Sequence, residues 1–181
     1  MKIVKGFDAA VAALRRPPLA SAEAAHKDAV EKILDDVRKH GDAALKDLAK
    51  QFDGVSLKSL AVRDAEIAAA YKNIDQNLID ALNTAAERIR AFHLTQLRYA
   101  VREFMEGGVG QIVNPIERVG VYAPGGTASY PSTVLMTVIP ARVAGVKQII
   151  VVTPPGKDGK LSPATLVAAD IAGADSVFKV G

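Results

Sequence analysis

The chain has no cysteine and no tryptophan. Without cysteine, disulfides and thiolate metal sites are excluded, and a reducing compartment is the fitting environment. Aromatic residues are scarce, with five Phe and four Tyr in 181 residues. No block of Lys and Arg accompanies them, and the basic stretches are pairs such as Arg15-Arg16 and Arg38-Lys39. A nucleic-acid surface needs a clustered basic patch with interleaved aromatics, so no nucleic-acid partner is expected. No segment reaches the run of about 18 apolar residues that a membrane span requires. The stretch Met1–Phe7 lacks the apolar core of a signal peptide, so a soluble, cytoplasmic protein with no membrane partner is expected. The sequence also lacks a Gly-x-Ser-x-Gly elbow, which removes one common hydrolase arrangement. Its three histidines, His26, His40 and His93, are too widely spaced for a signature such as His-Glu-x-x-His. No zinc site built by this chain alone is expected, and Asp35-Asp36 reads as a wet helix face.

Hydrophobic residues make up 49% of the chain and charged residues 24%, with a net charge of +3. That balance suits a globular chain with a real core. From residue 8 to about 100 the apolar residues recur with helical spacing. In Asp28 to Lys39 they are Val30, Ile33, Leu34 and Val37, with Gly41 as the stop. Leu45, Leu48 and Phe52 lead to a turn at Asp53-Gly54. A long helix is expected after Asp75 as N-cap, with Leu78, Leu82, Ala85, Ile89 and Phe92 as its buried stripe and Arg88 and Arg90 facing outward. His93 beside that stripe reads as a hydrogen-bonded packing residue, and His26 and His40 as solvated.

The period then changes. Residues 99–106 and a run through Val113 read as a hairpin turned at Gly107-Gly108. Val119–Tyr122 is a short strand, residues 132–144 a helix closed by Gly145, and Gln148–Thr153 a β-branched strand of the kind buried on both faces of a parallel sheet. A helix over 162–172 and a strand over 176–180 complete the series. The order strand, helix, strand, helix, strand predicts a parallel α/β layer with right-handed crossovers. The expected class is α/β, with a mainly helical region over 1–110 and a partial Rossmann-like layer over 111–181. Such a layer is half of a doubly wound sheet, and the last strand is expected to be uncovered, as in an incomplete unit.

Ligands of open α/β sheets bind beyond the carboxyl ends of the strands. Here that place is the stretch from Tyr122 through Pro124, Gly125 and Gly126 to a helix start at Ser132-Thr133. Tyr122 offers an aromatic face, and the free N–H groups of a helix start favour phosphate or carboxylate. The spacing differs from the dinucleotide fingerprint Gly-x-Gly-x-x-Gly, so a plain turn, with Ser132 as a simple cap, is the competing reading.

The residues Arg118-Val-Gly-Val-Tyr-Ala-Pro-Gly-Gly-Thr-Ala-Ser-Tyr-Pro-Ser-Thr-Val-Leu-Met136 resemble the glycine-rich signature of the histidinol dehydrogenase family. Ile139–Val146, Val151–Pro155, Gly41–Leu45, Phe52-Asp53-Gly54 and Phe92-His93-x-x-Gln96 extend the likeness over nearly the whole chain. The resemblance implies an NAD-dependent, zinc-assisted oxidation of L-histidinol through the aldehyde to L-histidine, by a homodimer. It further implies that Tyr122 contacts NAD, with Pro124, Gly125, Gly126, Ser132 and Thr133 near that cofactor. Zinc ligands, the general-base histidine with its glutamate, and a Gly-Ala-Gln segment that contacts NAD are implied to lie beyond Gly181. The chain is thus expected to be an N-terminal portion with a partial NAD site, inactive alone. The alternative is a non-catalytic nucleotide-binding or assembly module of the same family, or a fragment with a purely structural role.

Overall fold

A computed structural model describes residues 4, 6–14, 20–100, 102–125 and 128–181. They form two compact units, residues 1–44 and 45–181. The first contains helices α1 (Phe7–Leu14) and α2 (Ala20–His40). The last turn of α2 carries Arg38, Lys39 and His40, cations that complement the negative end of the helix dipole. Its apolar residues have the expected helical spacing, but Val30 and Leu34 are exposed. His26 and His40 are exposed as well, and His40 Nδ1 pairs with Asp36 Oδ1 at 2.7 Å.

The boundary falls inside α3 (Asp42–Leu48), which runs into a single π-helical turn at Ala49–Asp53. Gly54 ends that turn with φ 70°, in the left-handed region that glycine occupies without steric cost. Helices α4 (Asp64–Lys72) and α5 (Gln76–Tyr99) follow. The side chain of Asp75 accepts from the N–H of Asn77 at 2.7 Å and caps α5. The expected change to strand at residue 99 does not occur there. Instead α5 runs through Tyr99, because Gln76–Tyr99 contains no glycine or proline to stop the ladder. Strand pairing begins only at β1 (Phe104–Glu106), antiparallel to β2 (Val109–Gln111).

Strands β3 (Arg118–Tyr122), β4 (Gln148–Thr153) and β5 (Ser176–Lys179) form a parallel sheet in the order β3-β4-β5. The two crossovers are α6 (Pro131–Val143) and α7 (Pro163–Ala172). The α/β class and the order of elements agree with the sequence. The core lies between the sheet and the two crossover helices, with Ile149 and Val151 of β4 and Val134, Val138 and Ile139 of α6 completely buried. Burial of each such side chain contributes roughly 1.5–3 kcal/mol. Helices α4 and α5 pack on α7 and α6 and bring Ala70, Leu82 and Ala86 into the same core.

At the amino ends of the strands, Arg142 ties the layer together. It donates to the carbonyls of Gly173, Val146 and Lys147 and pairs with Asp175 at 2.5 Å. Asp175 in turn accepts from the N–H of Ile149. These bonds hold the Asp175 carboxyl below its usual range, Arg142 first and the Ile149 amide second.

The outer edge of the last strand, as distinct from its face, is occupied. Lys179 N donates to Leu60 O at 2.8 Å, Val62 N donates to Val177 O at 2.9 Å, and Ala61 bridges Phe178 antiparallel. The outer backbone edge of β5 is therefore hydrogen-bonded, which is how natural sheets blunt an edge. Among the described residues, no helix is long and apolar enough to cross a membrane.

Candidate functional site

Residues alternate across a strand with period two. Val121, Val151 and Val177 share one register row and are buried beneath the helices. The next row, Tyr122, Val152 and Phe178, therefore turns to the opposite face. Tyr122 closes β3 and is 55% exposed. Pro124 follows, exposed, and Gly125 is half-buried. Gly126 lies outside the described residues.

Gly125 makes a close approach. A Cβ on it would meet Thr153 Oγ1 at 2.8 Å and the Pro154 carbonyl at 2.9 Å. Only glycine lets the loop after β3 rest on the carboxyl end of β4. In the sequence this residue reads as a turn; its tight packing against Thr153 depends on the neighbouring strand and is visible only in three dimensions.

The helix starts at Pro131, within a residue of the expected start, but without the expected cap. Tyr130 is the N-cap of α6, Pro131 is at N1, and no side chain caps the helix, so Ser132 is not a cap. Ser132 is exposed and Thr133 half-buried. Pro131 has no N–H, and Thr133 N donates to Tyr130 O at 3.0 Å. Fewer free amides remain for an anion than a helix start ordinarily offers.

A cavity of 380 Å³ opens beside this loop, between it and the β4–α7 connection. Gly125 lines it; so do Ser129, Thr153, Pro154, Asp158, Lys160, Ser162 and Thr165. Of the five expected site residues that are described, only Gly125 belongs to the wall. In the sequence Pro154–Gly159 reads as a simple loop. The rule that points to the carboxyl end of β3 applies equally to β4, and that signal identifies the missed residues.

Lys179, at the end of β5, is almost buried and pairs with Glu66 Oε1 at 2.5 Å. Partial burial alone pushes the Glu66 carboxyl up. The hydrogen bond from Lys179, the N–H of Arg63 and both positive charges outweigh it, and the net shift is downward. Lys179 is thus a structural cation already neutralised. His93 pairs with Gln96 at 2.8 Å and lies edge-on to Phe92, in keeping with a hydrogen-bonded packing role. Among the described residues, no group of three or more His, Cys, Asp or Glu is placed to hold a metal ion.

An open parallel layer with a glycine-rich loop at its carboxyl end defines a Rossmann-like α/β protein. A model of the histidinol dehydrogenase family matches residues 16–181, and the chain belongs to that family of oxidoreductases. The histidinol dehydrogenase of Methanosarcina mazei is 54% identical over 157 residues, covering 85% of this chain and 36% of the relative. That of Clostridium acetobutylicum is 46% identical over 154 residues, covering 84% of this chain and 36% of its own. The crystal structure of histidinol dehydrogenase from Elizabethkingia anophelis superposes with a TM-score of 0.79 at 32% identity, covering 92% of this chain and 37% of that one. The chain spans a little over a third of the length of these relatives.

Proposed function

We propose that this chain contributes the first part of the NAD-binding surface of an enzyme that oxidises L-histidinol through the aldehyde to L-histidine. The observation that carries the reading is the exposure of Tyr122 at the carboxyl end of β3, within a chain whose residues 16–181 match the family. In this reading residues 111–181 form the cofactor part and residues 1–110 a mainly helical region. Tyr122 packs against the base or ribose, Pro124, Gly125 and Gly126 shape the loop beneath, and Ser132 and Thr133 border it. NAD, when bound, accepts the hydride removed from substrate carbon.

The exposed aromatic face and the open cavity beside Gly125 suit a flat, polar cofactor. The residues do not suit zinc: no ligand group is assembled among those described, and no step is derived through a metal. The reading assigns no proton-transfer residue to this chain, so the chain by itself is expected to be inactive. A cytoplasmic location and a homodimer complete the proposal.

Titration of the chain with NAD tests it. Saturable binding that weakens about three- to tenfold in Tyr122→Ala, the scale of a lost aromatic contact, supports the assignment. Equal affinity in the variant removes Tyr122 from the site. NADH formation from L-histidinol by the chain alone, surviving further purification, would overturn the claim of inactivity.

A further inference from the structure

Helix α4 packs against α7, and a cavity of 320 Å³ remains between α4 and the start of α7. Glu66, Ala69, Ala70 and Asn73 line it from α4. Their spacing of three and four residues puts them on one face of that helix. The two alanines at the middle of this face are short, and that is what leaves the space open. Leu161, Pro163 and Leu166 form the opposite wall. Ala70, Leu161 and Leu166 are buried, so the deep part of the cavity is apolar. None of the residues assigned to the cofactor lines it.

Arg63 and Lys160 bring positive charge to this cavity, and both are exposed. Glu66 is already engaged: its Oε1 pairs with Lys179 and its Oε2 accepts the Arg63 N–H at 3.2 Å. The Arg63 guanidinium lies 3.7 Å from the same carboxylate, outside hydrogen-bond distance, and its planar fork of donors is free for a second acceptor. Lys160 is held through its backbone. Its N–H donates to Asp158 Oδ1 at 3.1 Å and its carbonyl accepts from Gly156 N at 2.8 Å. Asn73 Nδ2 donates to Ala69 O at 2.7 Å and adds no charge. Two cations against one carboxylate leave a single positive charge on the wall, which suits a monoanion better than a dianion. Sites for small molecules combine an apolar wall with a few placed polar groups, in volumes of roughly 300–1,000 Å³. This cavity is at the small end of that range, with room for one ring or one branched chain.

We propose that the cavity between α4 and α7 binds a small carboxylate with an apolar body. The body covers Ala70, Leu161 and Leu166, and the carboxylate accepts from the Arg63 guanidinium and the Lys160 ammonium. The site is built from residues 63–73 and 160–166 alone, and it stands whether or not Tyr122 meets a cofactor.

The test is amide NMR of the 181-residue chain titrated with benzoate at constant ionic strength. Benzamide is the neutral analogue, and acetate carries the charge without the ring. Saturable shifts are expected at Ala70, Leu161 and Leu166 with benzoate, and binding about tenfold weaker with benzamide, the scale of one charged hydrogen bond. Acetate gives no saturable shift. Arg63→Ala removes only a loose exposed ion pair from the fold, and it weakens benzoate about tenfold. Ala69→Trp, at an exposed position of α4, fills the cavity and abolishes the shifts. Tyr122→Ala leaves benzoate binding unchanged, so this site and the cofactor assignment fail separately. Equal affinity for benzoate and benzamide would show that the cations play no part, and it overturns the proposal. So does benzoate binding that survives Ala69→Trp, or the absence of saturable shifts in the native chain.

Discussion

Gly120 and Gly125 lie five residues apart and behave oppositely. A Cβ on Gly120 meets nothing within 4 Å, whereas one on Gly125 runs into Thr153 Oγ1 and Pro154. Gly120→Ala should change stability by less than about 0.5 kcal/mol. Gly125→Ala has to push its loop off the end of β4, an overpacking cost of about 1–3 kcal/mol. Urea midpoints of the two variants check the contrast, and equal midpoints would show that the loop yields freely. Both glycines are plain in the sequence, but their difference is not, because it is set by a strand nearly thirty positions further on. Tyr122 is legible because period-two alternation along one strand is enough to turn it out. Thr153 is not, since its close approach to Gly125 comes from the juxtaposition of two strand ends. Ser132 reads as a cap because a serine near a helix start is a common cap, and here Pro131 moves the boundary back to Tyr130.

At the scale of elements, length and breakers decide what is readable. Helices α6 and α7 and strands β4 and β5 match expectation to within a residue or two, because glycine and proline punctuate them. The face of α5 is only partly right. Its most buried residues are Leu82 and Ala86, with Ile79, Ala85 and Ile89 packed alongside, while Phe92 is 65% exposed. The expected stripe continues a spacing past the point where α6 and α7 supply a surface to pack on. Thermal or urea unfolding of two substitutions tests this. Leu82→Ala should cost about 2–5 kcal/mol, as buried leucine truncations do. Phe92→Ala should stay within about 0.5 kcal/mol, although its ring is the larger. A large loss at Phe92 would mean that the chain buries it against something further. The π-helical turn at Ala49–Asp53 has no sequence signal at all, since the same residues satisfy an ordinary helix.

At the scale of the whole second unit, three polar links join segments far apart in the chain. Lys179 ties β5 to Glu66 in α4, Arg142 ties α6 to the turn before β5, and Tyr71 in α4 donates to Asp170 Oδ2 in α7 at 2.7 Å. None is legible in the sequence, because each partner is an unremarkable charged or polar residue until the layers stack. The links respond to pH with opposite signs. The Asp175 and Glu66 carboxyls are held below their ordinary values of 3.8 and 4.5. Their contribution is present above those values and is lost as the pH falls through the lowered ones. Tyr71 behaves in the other direction. Burial, then the hydrogen bond to Asp170 and its charge, raise the phenol from 10.0 to about 12, so the folded chain holds this proton more tightly than the unfolded one. Its contribution is complete below pH 10.0 and is lost between there and about pH 12. Lysines titrate in the same range, so the informative quantity is a difference between two proteins. The urea midpoint of the native chain should fall more steeply than that of Tyr71→Phe as the pH is raised from about 9 toward about 11. At about pH 8 the variant should be less stable by about 0.5–1.5 kcal/mol, the net worth of one hydrogen bond. As the phenol ionises in the unfolded chain, the gap should narrow. Parallel pH curves for the two proteins would show that Tyr71 is no tighter a proton holder in the folded state, and that α4 and α7 are joined by packing alone.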